Sequence, residues 1–270
     1  MAGSRSLRER IAGQSAMSEV VLAQASAPAR SLPARVFGIS PLTTASRDSY
    51  NGALGELLVG DVLENLGPNW DVLHDLPLGA ALDCDQVLDH LVIGPAGVYA
   101  VHVSNFTDKD VVIAGDQLLV AGDSHDDITR AKGEADAAAE LLSAASGSPV
   151  RVRPLLVVVD PRRLVVRVAA AGVRIIPSSQ LDRFLSRGAR TLSGTEVARI
   201  SDLADLATTW PAAPLPRLDV EGLHRQFAVV RGEVRRALLR RVLWGTLCIG
   251  IIYISVWMLV ASAVTAIISP

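Results

Sequence analysis

Lysine is nearly missing from this chain: Lys109 and Lys132 stand against twenty-four arginines. Any chemistry that needs a lysine ammonium therefore has two candidates. Cysteine is as scarce, with Cys84 in the charged part of the chain and Cys248 inside an apolar run, so a disulfide framework is excluded. Net charge is also lacking, at -2 for 270 residues, and the chain as a whole has no electrostatic footprint for nucleic acid. The first twenty residues contain no uninterrupted apolar stretch of signal-peptide type. No internal repeat is visible.

What is abundant is apolar residues, which make up 50% of the chain, and the densest run lies at its C-terminal side. From Val242 to Ser269 there is no charge at all, and a membrane span needs only about 20 such residues. The run 242–269 is expected to be a single transmembrane helix. Arg231, Arg235, Arg236, Arg240 and Arg241 crowd its N-terminal side, which by the positive-inside rule predicts a cytoplasmic N-terminal domain and the lipid bilayer as a partner. Just before it, Val220, Leu223, Phe227, Val230, Val234 and Ala237 repeat at spacings of three and four. Residues 219–241 therefore read as an amphipathic juxtamembrane helix. Its seam suits a homodimer through 220–237, packing on its own domain, or lying along the membrane.

The rest divides by composition. Residues 1–46 mix Ser, Ala, Gly, Pro and Arg without a sustained period and are expected to be mobile, with a short helix near 7–23 as the alternative. Residues 47–210 carry the ordered domain, and 211–218 form a Pro-rich linker. Within the domain, Leu54, Leu57, Leu58, Val62 and Leu66 mark a helix that stops at Gly67-Pro68. Strands are expected over 70–75, on either side of the turn "GPAG", and over 110–122 with a turn at Gly115-Asp116. A helix follows from Asp126 or Asp127 to Ala145 with Ile128, Ala131, Ala135, Ala138 and Leu142 inward. The "SHDD" before it reads as an N-cap cluster. The run 150–160 is apolar on both faces where it passes Leu155 to Val159, as suits a strand inside a sheet. Two short strands and two helices complete a mixed α/β sheet flanked by helices.

The hairpin "VLDHLVIGPAGVYAVHVSNF" holds the candidate site. A tight turn from Gly94 to Gly97 pairs Ile93 with Val98, which sets Asp89 opposite His102 and Val87 opposite Ser104. Asp89, His102 and Ser104 then form one polar cluster at the open end, unless a bulge flips the face. His90 falls on the other face, beside Leu88, Val92, Tyr99, Val101 and Val103, as a core histidine bonded to backbone.

Taken together, "GELLVGDVL", "WDVLHDLPLG", "LDHLVIGPAGVYAV", "DQLLVAG" and "VRPLLVVV" resemble the nuclease-related domain (NERD), a branch of the PD-(D/E)xK nuclease superfamily, over residues 48–160 and on toward 210. The resemblance implies a restriction-endonuclease-like mixed sheet with an αβββαβ core. It implies catalytic positions at Glu56 on the helix, Asp89 on the first hairpin strand, and a Glu-x-Lys pair on the second. This chain departs from that pattern, because His102 and Ser104 stand at the Glu-x-Lys positions. Magnesium wants hard oxygen ligands, and a serine carries no charge at neutral pH. The expectation is a catalytically degenerate domain acting as a binding or scaffolding module, with nucleic acid as the implied partner and no cofactor. The alternative is an active nuclease with a rebuilt site of Glu56, Asp89 and His102, in which Asp89 and His102 would hold a divalent metal, Mg²⁺ or Mn²⁺. Asp83 and Asp85 are further sources of metal oxygens. Arg130, Arg151, Arg153, Arg162 and Arg163 are the candidates for a basic groove, against an ordinary solvated role.

Overall fold

A computed structural model of the chain describes residues 6–79, 86–211 and 219–268. Asp83, Cys84, Asp85 and most of the Pro-rich linker lie outside the described residues. Three helices come first: α1 (Gln14–Ala25), α2 (Leu32–Val36) and α3 (Thr44–Glu64). Then follow β1 (Asp71–Gly79), β2 (Gln86–Gly94), β3 (Gly97–Asn105), β4 (Asp110–Ala114), β5 (Gln117–Val120), β6 (Asp123–His125) and α4 (Asp127–Ser146). The chain continues through β7 (Val152–Val159), β8 (Arg163–Val168), β9 (Arg174–Pro177), α5 (Leu181–Ser186), α6 (Gly194–Asp205) and α7 (Val220–Ile268).

The main sheet has the order β1-β2-β3-β7-β9, antiparallel through β3 and parallel beyond it. The sequence predicts one sheet, but β6-β5-β4-β8 form a second. The second hairpin is stitched to β8 rather than to the main sheet, because β4 and β8 run parallel from Asp110↔Arg163 onward. The αβββαβ order of the resemblance is present as α3, β1, β2, β3, α4 and β7, and the mixed α/β architecture is the restriction-endonuclease-like one.

Two helices sandwich the main sheet, which is why β3 is buried along nearly its whole length. On one face Ala135, Ala138 and Leu142 of α4 meet Leu73, Leu91, Ile93, Val98 and Ala100. On the other, Val59 and Leu63 of α3 meet Val92, Val101, Leu155 and Val157. The inward stripe of α4 is the one its periodicity predicts, with one addition, Glu134. The predicted stripe of α3 is displaced: Tyr50, Ala53, Glu56, Val59, Gly60 and Leu63 are buried, while Leu54, Leu57, Leu58 and Val62 are only partly covered. A helix covered on two sides has no single stripe to read.

At the two ends of the chain, α1 and the first turns of α7 pack on each other and on α3, as the alternatives of an N-terminal helix and of a juxtamembrane helix packed on its own domain have it. Within 1–46, α1 and the residues just before it pack on the domain, while Leu32–Ile39 is largely exposed. Met17 and Val20 of α1 are fully buried against Tyr50 and Ala53 of α3, and Arg10 forms an ion pair with the buried Asp75. The packing side chains Met17 and Val20 are three apart on α1, a spacing too short to stand out as a sustained period. Thr43 caps α3, whose first residue, Thr44, comes three residues before the expected start of the ordered domain at 47. At the other end, the amphipathic and apolar segments form one continuous helix, α7. Its seam faces this same chain: Leu223 and Phe227 pack on α1 and α3, with the Phe227 and Tyr50 rings 5.6 Å apart. The face proposed for a homodimer through 220–237 is therefore already covered. Beyond it, α7 is long and apolar enough to cross a membrane, with mean hydropathy 2.0 and none of its most apolar stretch buried.

Candidate functional site

Hairpin pairing follows the predicted register, with Ile93↔Val98 and Gly94↔Gly97, but the ladder stops at His90↔Val101. The reason is a paired irregularity one step further on. Asp75 in β1 has φ 55°, a left-handed backbone that an aspartate adopts at some cost. It lies between His74↔His90 and Leu76↔Leu88 and is not itself paired. Alternation breaks there on both strands: Leu73 and Leu76 share the α4-side core, and so do Leu91 and Leu88. Leu88 thus sits on the face opposite to the one predicted, and Asp75 and Asp89 are turned away from that core.

Asp75 turns to Arg10 and to Ser15, whose backbone N–H donates to it at 2.9 Å. Asp89 turns to the end of β3, where Val103 N–H donates to its Oδ2 at 2.7 Å. His102 Nδ1 lies 3.5 Å from the same oxygen. The structure therefore brings Asp89 and His102 together, and His102 is the centre of the cluster. Its Nδ1 is 3.1 Å from Glu134, and its Nε2 is 3.5 Å from Asp127. Ser104 hydroxyl donates to Asp127.

Asp127 and Glu134 both come from α4, seven residues apart and on one face. Two helical turns span roughly 10 Å, which is the reach that lets one imidazole sit between the two carboxylates. The "SHDD" cluster caps less than predicted: Asp126 is the N-cap residue without a side-chain cap bond, and Asp127 serves the histidine instead. Sequence reasoning missed both α4 carboxylates as members of the site. The signal was present, since Glu134 lies on the stripe of Ala131, Ala135 and Ala138, where a charge has no place without a partner.

Glu56 lies on α3, at the opposite face, without a bond to the cluster but close enough to feel the charges of Asp89 and His102. Gly55 makes this approach close, because a Cβ there would lie 3.0 Å from Asn105 Cβ and 3.3 Å from Val103 Cγ1. Burial, with the charges of Asp89 and Asp75, holds the Glu56 carboxyl well above the usual range, although His102 and the Gly13 N–H pull it down. Asp89 is pushed up to about 7, chiefly by burial and then by Glu134, against the opposing pull of His102 and Arg130. For His102, burial favours the neutral ring, but Glu134, Asp127 and Asp89 outweigh it and raise the imidazole well above its ordinary value. Asp127 is half-buried, which raises its carboxyl, yet its bonds from His102 and Ser104 lower it to about 2. The arrangement is an imidazolium held among carboxylates.

Neither lysine joins it. Lys132 bonds Asp116 at 2.9 Å on the surface, and Lys109 lies over the Phe106 ring. The five arginines do not make one groove: Arg162 and Arg163 pair with Asp110, and Arg151 and Arg153 line a cavity of about 270 Å³ with Gly97 and Thr191, at the turn end of the hairpin. Of the five, Arg130 is the one whose charge reaches Asp89.

The donor set does not fit a divalent metal. Among the described residues no three His, Cys, Asp or Glu side chains converge on one metal position. His102 engages carboxylates through both ring nitrogens, so neither nitrogen is free for a metal in this arrangement. On the other face of β2, His90 is buried as predicted, but its partner is a second histidine, His74, at 2.7 Å between Nδ1 atoms rather than backbone. Both rings are held below the ordinary value by burial, His74 to about 4.

Residues 51–159 match the family of the nuclease-related domain (NERD), spanning α3 through β7. No curated protein and no solved structure matches the chain.

Proposed function

Starting from the nuclease-related domain at residues 51–159, we propose that this chain is a membrane-anchored domain in which the nuclease site has become a structural ion network, kept for binding rather than for phosphodiester hydrolysis. One observation carries the reading: His102 occupies three carboxylates, Asp89, Asp127 and Glu134, at 3.1–3.5 Å. In a metal-dependent nuclease the acidic groups are held for a divalent cation, which neutralises developing charge and activates water. Here a fixed organic cation takes that charge, and Ser104, at the position the resemblance assigns to the lysine, is bonded to Asp127. Neither group can stabilise a phosphorane-like transition state in that posture.

The anchor is α7, with the domain on the cytoplasmic side, supported by the five arginines that precede its apolar run. Nucleic acid is the ligand class supported by the family. Contact with a second copy through 220–237 is not part of the proposal, because α1 and α3 cover that seam.

The test uses the full chain in detergent micelles with single- and double-stranded DNA and RNA, in Mg²⁺ and in Mn²⁺. No cleavage is expected. Metal-dependent cutting that Asp89→Ala abolishes would overturn the reading in favour of a rebuilt site on Glu56, Asp89 and His102. A Mn²⁺ site seen by calorimetry and removed by His102→Ala would count against it in the same way.

A further inference from the structure

We infer that the segment Leu32–Ile39 is a second membrane contact, an apolar foot that enters the interfacial layer of the same anionic bilayer that α7 crosses. The inference rests on the reading of α7 as a span. Within eight residues this segment exposes Leu32 at 76%, Val36 at 50%, Phe37 at 54% and Ile39 at 57%. Single exposed apolar side chains are ordinary on a soluble surface, but a contiguous group of them marks a contact.

Its depth is fixed by α7. Arg240 donates to Arg35 O at 2.7 Å, Arg241 to Gly38 O at 3.3 Å, and Trp244 Nε1 to Val36 O at 2.9 Å. Gly38 has φ 70°, and a Cβ there would run into the backbone of Ala237 and Arg241, so the turn is seated directly on the helix. The Phe37 and Trp244 rings are 5.3 Å apart. These three donors stand where the arginines end and the apolar run begins.

The run from Val242 to Ile268 is about 40 Å long at ~1.5 Å per residue, longer than the ~30 Å hydrocarbon core. Its first turns therefore lie in the interfacial layer, where tryptophan is enriched. The carbonyls bonded to Arg240, Arg241 and Trp244 lie at that level, and the apolar side chains beside them meet the headgroup and acyl boundary. Arg35, exposed within the segment, matches the charge of anionic headgroups, while Arg30 just before it bonds the carbonyls of Ala34 and Ile39 and holds the turn. The foot would limit how far the domain can tilt about α7.

The experiment labels the full-length protein with an environment-sensitive fluorophore at one cysteine, Phe37→Cys, Ile39→Cys or Ile254→Cys, in a background of Cys84→Ser and Cys248→Ser. Each is reconstituted in vesicles of phosphatidylcholine and phosphatidylglycerol containing lipids with a nitroxide either near the headgroup or deep in the acyl chain. Position 254 should be quenched by the deep nitroxide. Positions 37 and 39 should be quenched about twofold more by the shallow nitroxide than by the deep one, as an interfacial depth requires. Deep quenching at 254 with none at 37 and 39 overturns the foot and leaves the span intact. No lipid quenching at 254 overturns the span and the foot together.

Discussion

Replacing His102 by glutamine tests the ion network, because it keeps a polar side chain of similar reach and deletes the cation. Three carboxylates then surround a neutral amide, and breaking a buried pair by removing one partner costs about 3–5 kcal/mol. The pH dependence gives the sharper signature. Asp89 has its folded pKa raised from 3.8 to about 7, which at 1.36 kcal/mol per tenfold is ~4 kcal/mol of disfavoured ionisation. That penalty is absent below 3.8 and complete above about 7. His102 also has a raised folded pKa, so its stabilisation is full below the ordinary histidine value and is lost as pH rises through the raised one. Between those limits the wild type keeps its imidazolium while Asp89 ionises, and the variant has only the Val103 N–H and the charge of Arg130 to offset the carboxylate. The deficit should be about 3–5 kcal/mol near pH 7. It should be smaller near pH 4, where Asp89 is protonated and the variant no longer leaves that carboxylate charged, so that the lost contacts with Glu134 and with Asp127, whose pKa is about 2, make up the remainder. Guanidinium titrations of the full chain in micelles, followed by tryptophan fluorescence, measure both. A deficit under ~1 kcal/mol at neutral pH, or one that grows on acidification, would refute the imidazolium.

Arg10→Ala leaves the Asp75 carboxylate buried without its ion pair and should destabilise by about 3–5 kcal/mol, with Asp75→Asn in the same chain recovering part of the loss in the same titration. Gly55→Ala would gain up to ~1 kcal/mol of helix propensity on an open helix, but the contacts of its Cβ with Asn105 and Val103 should make it net destabilising by about 1–3 kcal/mol. A stabilised Gly55→Ala would show that α3 does not press on β3. Ser193→Ala removes the capping box that Ser193 and Glu196 form at the start of α6 and should cost ~1 kcal/mol in thermal denaturation, with no change in the His102 titration followed by NMR.

Regular elements were legible where a single period ran unbroken. The α4 stripe and the 93–98 register could be read directly, because one face of a helix and one tight turn determine them. The two-faced burial of α3 blurred its stripe, and the split into two sheets depends on β8 pairing with β4 rather than with β7, which no local pattern encodes. At the site, Asp89 and His102 followed from counting back from the turn. Leu88 did not, since the left-handed Asp75 breaks the alternation from the neighbouring strand. Asp127 and Glu134 were written in the helix period, two turns apart, but reading them as ligands of His102 requires knowing which face of the sheet α4 covers. The His74–His90 pair was legible only as a lone histidine, because its partner lies across the β1–β2 ladder.

The N-terminal segment, which composition alone reads as mobile, ties α7 to the acidic cluster. Met17 and Val20 of α1 share one buried patch with Leu223 and Phe227 of α7 and with Tyr50 and Ala53 of α3. One turn further along α3, Glu56 takes the Gly13 N–H that leads into α1 and feels the charges of Asp89 and Asp75. Asp75 in turn is held by Arg10 and Ser15, from the same segment. Every step in this chain is a buried contact or a bond to a buried carboxylate, so the segment cannot detach without exposing apolar surface and leaving Asp75 uncompensated. The cluster around His102 and the first turns of α7 are therefore parts of one packed unit, joined through α3, and a ligand that displaces α1 would act on both ends at once.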